Sequence, residues 1–563
     1  MTHPTARSHD AAPSPAPAVT ASRAHSRRSI LLGAAAGALA GLVPDGLGSE
    51  AAHAAVLPGA LPAAGAPFSA ATVLDLARAL AAQPYAAGRT DDLPDALRSL
   101  SREQYGAIRT RAEARIWAEA GLGLTVEPLH RGSAYIDRVA LFLVEDGAVR
   151  PVAYAREAFE PGGPALPEMK EDPGFSGFRV RARFDGGERG ELGEFAVFQG
   201  ASFFRLVARG QGFGATARAL ILRPADGRGE EFPRWRAFFL ERPSADGPLV
   251  VHALIDSESL AGAFRFTLRP GDASVADVEG MLVTRAAIDH VGLAGMQTSY
   301  LFGPNDRRGS DDARAAAYAS GGLQVRNGGD EAIWRPVHNP DTLQISSFLD
   351  DGPRGFGLMQ RARDYADFAD DVQHWERRPS LWMEPGSATG VEGLWGAGAV
   401  TLLEIPSDSE ANENILGYWR PRVVLPARAE VGFRYRALWC WQLPAPPSAA
   451  AAAAAPAAPP ALAAVTGSRS GRGASGTRRL FLVDFLGDGL FDGAGAVLPD
   501  LAATVTAGPG AIARQTLYPY PDRRTVRVAF ELDPGGEHAC ELRLVLKSGE
   551  RPASETWLYR WTP

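Results

Sequence analysis

Asp364, Asp367, Asp370, Asp371, Glu404, Glu410 and Glu413 crowd one stretch of the chain, and five of its eleven tryptophans lie between residues 334 and 419. These are Trp334, Trp375, Trp382, Trp395 and Trp419. The combination suits carbohydrate chemistry. Cleavage or transfer at a glycosidic bond commonly takes an acid and a base flanking it. Indole faces pack on the C–H faces of sugar rings. Arg335 beside Trp334, and Arg377 and Arg378 beside Trp375, add guanidinium forks that bind several hydroxyls at once. Each residue also has an ordinary alternative: large aromatics fill cores, and a single carboxylate is more often a solvated surface charge. Spacing alone does not choose among the acids.

Other chemistries lack their residues. There is no G-x-S-x-G elbow, Walker loop, H-E-x-x-H or complete dinucleotide fingerprint. Gly210, Gly212 and Gly214 read as a turn. No Cys or His cluster has metal-ligand spacing, so no metal or cofactor is expected. Cys440 and Cys540 fall in different predicted domains and read as two free buried thiols. With 58 Lys and Arg against 65 Asp and Glu, the net charge of -7 points to neither nucleic acid nor an anionic membrane as partner.

The elements that must position the candidate residues follow from patterning. Residues 1–54 read as an export signal: Ser26-Arg27-Arg28-Ser29-Ile30-Leu31-Leu32 resembles a twin-arginine motif, and Ala52-His53-Ala54 fits a cleavage site. The apolar run from Ile30 to Val43 is too short to span a bilayer, so membrane insertion is not expected and the periplasm is. Residues 55–67, rich in Ala, Pro and Gly, read as a disordered tether. Val73, Leu76, Ala77 and Leu80 have helical spacing, and Ser101 with Gln104 forms a capping box ahead of Tyr105 and Ile108. From about residue 135 the period becomes two. Val139 to Val144 is apolar on both faces and ends at an Asp146-Gly147 hairpin turn. Phe178, Val180, Ala182 and Phe184 alternate with Arg179, Arg181 and Arg183, a half-buried strand closed by Asp185-Gly186. Short strands continue to Trp441 without intervening helices, which argues for an antiparallel β-sandwich over 68–442. The Ala/Pro run 443–464 reads as a linker, and 465–563 as an immunoglobulin-like sandwich.

Several stretches together resemble the osmoregulated periplasmic glucan biosynthesis proteins G and D. They include Gln199-Gly200-Ala201-Ser202-Phe203-Phe204-Arg205, Phe356-Gly357-Leu358-Met359-Gln360-Arg361, Arg378-Pro379-Ser380-Leu381-Trp382-Met383-Glu384-Pro385, Tyr418-Trp419-Arg420-Pro421 and Ser554-Glu555-Thr556-Trp557-Leu558-Tyr559. The twin-arginine motif leans toward the D branch. The resemblance implies a mostly β fold, with a large mutarotase-like antiparallel sandwich followed by an immunoglobulin-like one. It also implies action on the β-1,2-glucan backbone, by hydrolysis or transglycosylation. The family acid, in an Asn-Asp-Asn-Ile motif, corresponds to Glu413 in Asn412-Glu413-Asn414-Ile415. The family base position is Ala319, a second Asp is Gly321, and a relay Tyr is Trp375; none of the three can accept a proton. Asp371 or Glu376 is the substitute base to consider.

Two readings follow. The first is a variant glycosyl-transferring or hydrolysing enzyme, weak in ordinary hydrolysis, with Glu413 as general acid and Trp334, Arg335, Trp375, Arg378, Trp382, Trp395 and Trp419 contacting glucan. The second is a non-catalytic glucan-binding protein that guides the chain during synthesis or export. β-Glucan is the expected partner in both, with the membrane glucan synthase as a further one.

Overall fold

The structure, a computed structural model, describes residues 61–88, 90, 92–160, 166–167, 172–184, 192–307, 311–443, 461–473 and 475–563. The export signal, residues 55–60 of the tether, the Asp185-Gly186 turn and most of the Ala/Pro linker lie outside the described residues. Residues 61–67 run against a hairpin: Gly65 N donates to Val149 O at 2.8 Å, and Pro67 bridges Ala148.

Nearly all the regular structure is strand. One sheet carries the candidate site, and its strands are labelled in chain order. They are β1 (Leu124–Leu129), β2 (Gly177–Ala182), β3 (Gly193–Gln199), β4 (Phe203–Leu206), β5 (Thr216–Arg218), β6 (Val291–Thr298), β7 (Gln344–Asp351), β8 (Ala397–Glu404) and β9 (Ile415–Pro421). They pair in the order β1–β2–β3–β4–β5–β6–β9–β8–β7, with a two-residue strand at Ile221 also on β6. The expected alternation holds in β2. Phe178, Val180 and Ala182 are buried in the core, while Arg179 and Arg181 face away from it.

A 15-stranded sheet packs against the inner side of the first. Phe178 and Phe198 meet Phe238 at 5.0 and 5.7 Å, and Phe204 meets Trp439 at 5.8 Å. Each aromatic buried here contributes on the order of 1.5–3 kcal/mol. Strand Ala140–Glu145 is buried on both faces, as its doubly apolar pattern requires. Asp146 and Gly147 turn it back with φ of 51° and 74°, the double positive φ of a tight hairpin.

Helix α1 (Ala70–Ala81) buries Val73, Ala77 and Leu80 against this second sheet. α2 spans Asp95–Arg98 and α3 spans Arg102–Gly106. In α3 the capping box closes reciprocally: Gln104 N donates to Ser101 Oγ at 3.1 Å, and Ser101 N donates to Gln104 Oε1 at 2.9 Å.

The C-terminal sandwich sets four strands (Ala464–Arg472, Arg479–Leu486, Thr525–Asp533, Ala511–Tyr520) against three (Leu501–Gly508, Cys540–Ser548, Thr556–Trp561). The three belong to the 15-stranded sheet. The last strand pairs in parallel with Ala332–Pro336, setting Ile333 opposite Thr556 and Trp334 opposite Trp557. Phe481, Phe530, Trp557 and Tyr559 fill the space between the layers, together with Trp334, Met359 and Trp382 from the larger sandwich. Cys440 and Cys540 are both free and buried. Burial pushes the Cys440 thiol up to about 12.

Candidate functional site

Glu413 ends the loop 405–414, which connects β8 to β9, and approaches the outer side of the first sheet, opposite the main core. Register places its partners. Thr216 of β5 lies opposite Gln297 of β6, and the next residue of β6, Thr298, lies opposite Ile415 of β9. Thr216 Oγ1 donates to Glu413 Oε1 at 2.6 Å, and Gln297 Nε2 donates to Oε2. Thr216 and Gln297 are buried, and Glu413 is half-buried. A threonine hydroxyl can reverse and accept a proton carried on Oε1; a glutamine N–H can only donate. A proton held for transfer therefore belongs on the Thr216 side.

The loop is clamped at its ends. Ile405 N donates to Asn414 O, and Asn414 Nδ2 donates to Ile405 O, both at 2.9 Å. Asn339 Nδ2 donates to Ser407 O at 2.8 Å, and Ser407 N donates to Asn339 Oδ1 at 2.9 Å. Glu404, just before the loop, is completely buried. Its Oε1 accepts from His338 N at 2.9 Å, and its Oε2 lies 3.1 Å from Arg335 Nη2. Burial alone would raise this carboxyl, but the charges of Arg335 and His338 outweigh burial and hold it below the usual range.

Arg314 gathers three segments, two of which bear candidate acids. Its guanidinium chelates Asp312, lies 2.6 Å from Asp370 Oδ2 and lies 2.6 Å from Glu410 Oε2. Asp370 also accepts from Val372 N, Gln373 N and the Trp375 indole at 2.9–3.0 Å. Burial pulls upward, but these donors hold Asp370 at about 2. Asp370 is thereby a poor proton acceptor, and the Trp375 N–H is committed to it. Of the substitute bases, Asp371 is exposed and accepts from the Tyr365 hydroxyl at 2.9 Å. Glu376 is buried; its Oε1 lies 3.1 Å from His374 Nδ1, while its Oε2 has no hydrogen-bond partner among the described residues. At the family base position, Ala319 is buried and donates its N–H to Ser299 O at 2.9 Å.

Most of the aromatic and arginine residues expected to contact glucan are placed otherwise. Trp419 is 0% exposed, with its indole donating to Leu394 O at 2.8 Å, and Trp395 packs beside it at 6.5 Å. Trp334 and Trp382 belong to the core under the C-terminal sandwich, and the Arg361 guanidinium lies 3.7 Å over the Trp334 ring. Trp375 is 4% exposed. Arg335 is committed to Glu404 and to Pro336 O, and Arg378 to Phe213 O and to Gln373. Buried as they are, the indoles of Trp334, Trp382 and Trp419 offer no face on which a sugar ring could stack. The indole's hydrophobic area wins over its use as a platform.

Thr216, Gln297 and Arg314 escaped the sequence reading. Gln297 directly follows the apolar run Val291–Met296 within the same strand, a weak signal for a polar contact inside a sheet. Nothing local marks Thr216, whose partner Glu413 lies far along the chain, and the near neighbour Asp312 gives no hint that Arg314 also reaches Asp370 and Glu410.

A row of residues that is polar except at Val197 crosses the same outer face. Glu127 pairs with Arg179, Arg179 with Val197 and Val197 with Arg205, across β1 to β4. The row approaches Thr216 and Gln297 on β5 and β6. Strands about 4.8 Å apart make its span from β2 to β6 roughly 19 Å.

The profile of the family described as periplasmic glucan biosynthesis protein, MdoG, matches residues 68–561. The chain belongs to that family. Among curated relatives, glucans biosynthesis protein G of Bradyrhizobium diazoefficiens is 41% identical over 498 residues, covering 88% of this chain and 94% of its own length. Glucans biosynthesis protein G of Shewanella baltica strain OS195 is 41% identical over 502 residues, covering 88% and 87%. Both are G proteins, and the leaning toward the D branch finds no support in them. A chondroitinase AC lyase structure aligns at 11% identity with a TM-score of 0.18, covering 57% of this chain and 38% of its own, too distant to bear on fold or function. Membership in this periplasmic glucan biosynthesis family implies the periplasm as the place of action. Among the described residues, no helix is long and apolar enough to cross a membrane, and no group of three His, Cys, Asp or Glu side chains could hold a metal.

Proposed function

We infer that this member of the MdoG family acts on the β-1,2-glucan backbone after twin-arginine export to the periplasm, transferring glycosyl units with Glu413 as general acid. The observation that supports this is the seat of Glu413: a half-buried carboxyl at a sheet face, fixed through both oxygens by Thr216 and Gln297. The residues that would activate water are replaced. Ala319 has no proton acceptor in its side chain, and the Trp375 N–H is spent on Asp370. General base assistance contributes about 10²–10⁴-fold, so simple hydrolysis is slow and an acceptor hydroxyl held on the polar outer face takes the place of water.

A second reading is a glucan-binding protein without turnover that guides the chain and docks with the membrane synthase. The same substitutions at Ala319, Gly321 and Trp375 favour it. Incubation of the purified protein with linear β-1,2-glucan separates the two. Products of new mass or linkage, abolished by Glu413→Gln while binding persists, support the enzyme. Glucan binding with unaltered glucan supports the guide, and absence of both product and binding refutes both.

A further inference from the structure

The outer face of β1, β2 and β3 holds a second polar assembly that the reading above does not use. Glu127, Arg179, Arg181 and Glu194 project there, opposite Val126, Phe178, Val180 and Phe195 in the core. The segment from Tyr105 to Arg115 lies over them and closes a cavity of about 300 Å³. Four arginines line it, Arg109, Arg115, Arg179 and Arg181, against three glutamates, Glu127, Glu160 and Glu194.

Glu127 is the buried anchor, 5% exposed. Arg181 Nε donates to its Oε1 at 2.7 Å, and Arg115 Nε lies 2.9 Å from the same oxygen. Arg179 Nη1 lies 3.6 Å from Oε2 and 3.0 Å from Glu194 Oε1, and Arg181 Nη2 lies 3.5 Å from that oxygen. Donors exceed acceptors. Three guanidinium groups bring about fifteen N–H bonds, and two carboxylates offer about eight lone-pair positions. The buried Arg179 Nε has no hydrogen-bond partner among the described residues. A network serving only to fasten the 105–115 segment needs one arginine on Glu127. Three forks converging from two strands and a loop, with positive charge in surplus, fit a planar or tetrahedral oxyanion.

We propose that this cavity binds a small oxyanion, a phosphate or carboxylate group, gripped by Arg115, Arg179 and Arg181. The group arrives either as a free ion or on a sugar. Arg205 lies two strands from Arg179 on the same face, on the side toward Thr216, with Val197 between them. The site is independent of any catalytic role for Glu413.

Titration calorimetry on the exported chain at low salt tests it, with inorganic phosphate, glucose 6-phosphate, succinate and glucose as probes. Saturable binding of phosphate or succinate is expected, weakened by high salt. Arg179→Gln lowers that affinity about tenfold, the loss of one charge-assisted bond. Glu194→Gln, at a half-exposed position, removes a competing acceptor and tightens it. Glucose 6-phosphate binding more tightly than phosphate identifies a sugar-borne group, and equal affinities identify the free ion. The proposal is overturned if the folded protein binds neither phosphate, sugar phosphate nor succinate. It is equally overturned if Arg179→Gln and Glu194→Gln leave affinity unchanged, or if glucose binds as well as its phosphate.

Discussion

Replacing Glu404 by alanine tests whether the Glu413 loop depends on a buried ion pair. Glu404 is 0% exposed, Arg335 is 2% exposed, and the two approach to 3.1 Å. Their other neighbours, His338 and Pro336 O, are fixed groups that do not replace a missing carboxylate charge. Removing one partner of such a pair strands the other, at a cost of about 3–5 kcal/mol. Each 1.4 kcal/mol is tenfold in the folding equilibrium, so the unfolded fraction rises by roughly 10² to several times 10³. Urea unfolding followed by the fluorescence of the buried tryptophans measures this. Glu404→Gln retains shape and two polar atoms and loses less, and the double replacement of Arg335 and Glu404 by methionine recovers most of the loss. Glu404 is depressed below its usual value of 4.5, so its contribution is fully present above that pH and disappears as pH falls through the lower folded value. The Glu404→Ala deficit therefore shrinks in acid. A Glu404→Ala protein within about 1 kcal/mol of wild type at neutral pH refutes the reasoning, because a buried arginine left without its carboxylate costs more than that.

Three further outcomes are expected. Trp419→Ala empties a fully buried site beside Leu394 and costs about 3–5 kcal/mol, read as a lowered thermal midpoint, whereas an exposed sugar platform would cost little. Arg361→Met breaks the two 2.8 Å bonds to Glu555 and the contact with Trp334; the C-terminal sandwich should then become more open to limited proteolysis and amide exchange while the first sheet stays protected. Cys440 and Cys540 react with a thiol reagent only after denaturation, and reductant leaves the midpoint unchanged, since both are free and buried.

Local patterns carried most of the fold. The alternation of Phe178, Val180 and Ala182 with Arg179 and Arg181 predicts one buried face, and β2 has it. Asp146-Gly147 and the Ser101–Gln104 box are short-range signals that need no tertiary information, and both hold. The candidate site was less readable because its contacts are long-range. Arg335 meets a carboxylate 69 residues away, and Thr216 meets Glu413 across 197. Tryptophan was the misleading signal: its large apolar area serves a core as well as a groove, and the pairing of Trp334 with Trp557 that decides the matter lies beyond any local window.

That pairing has a consequence for biogenesis. The strand Ala332–Pro336 gains its outer neighbour only when Thr556–Trp561, far later in the chain, has been made. Until then the nascent chain carries an uncovered sheet edge and a half-built hydrophobic layer under Trp334 and Trp382. A chain that lacks Thr556–Trp561 cannot shield either, so it is the one most prone to stick to its like.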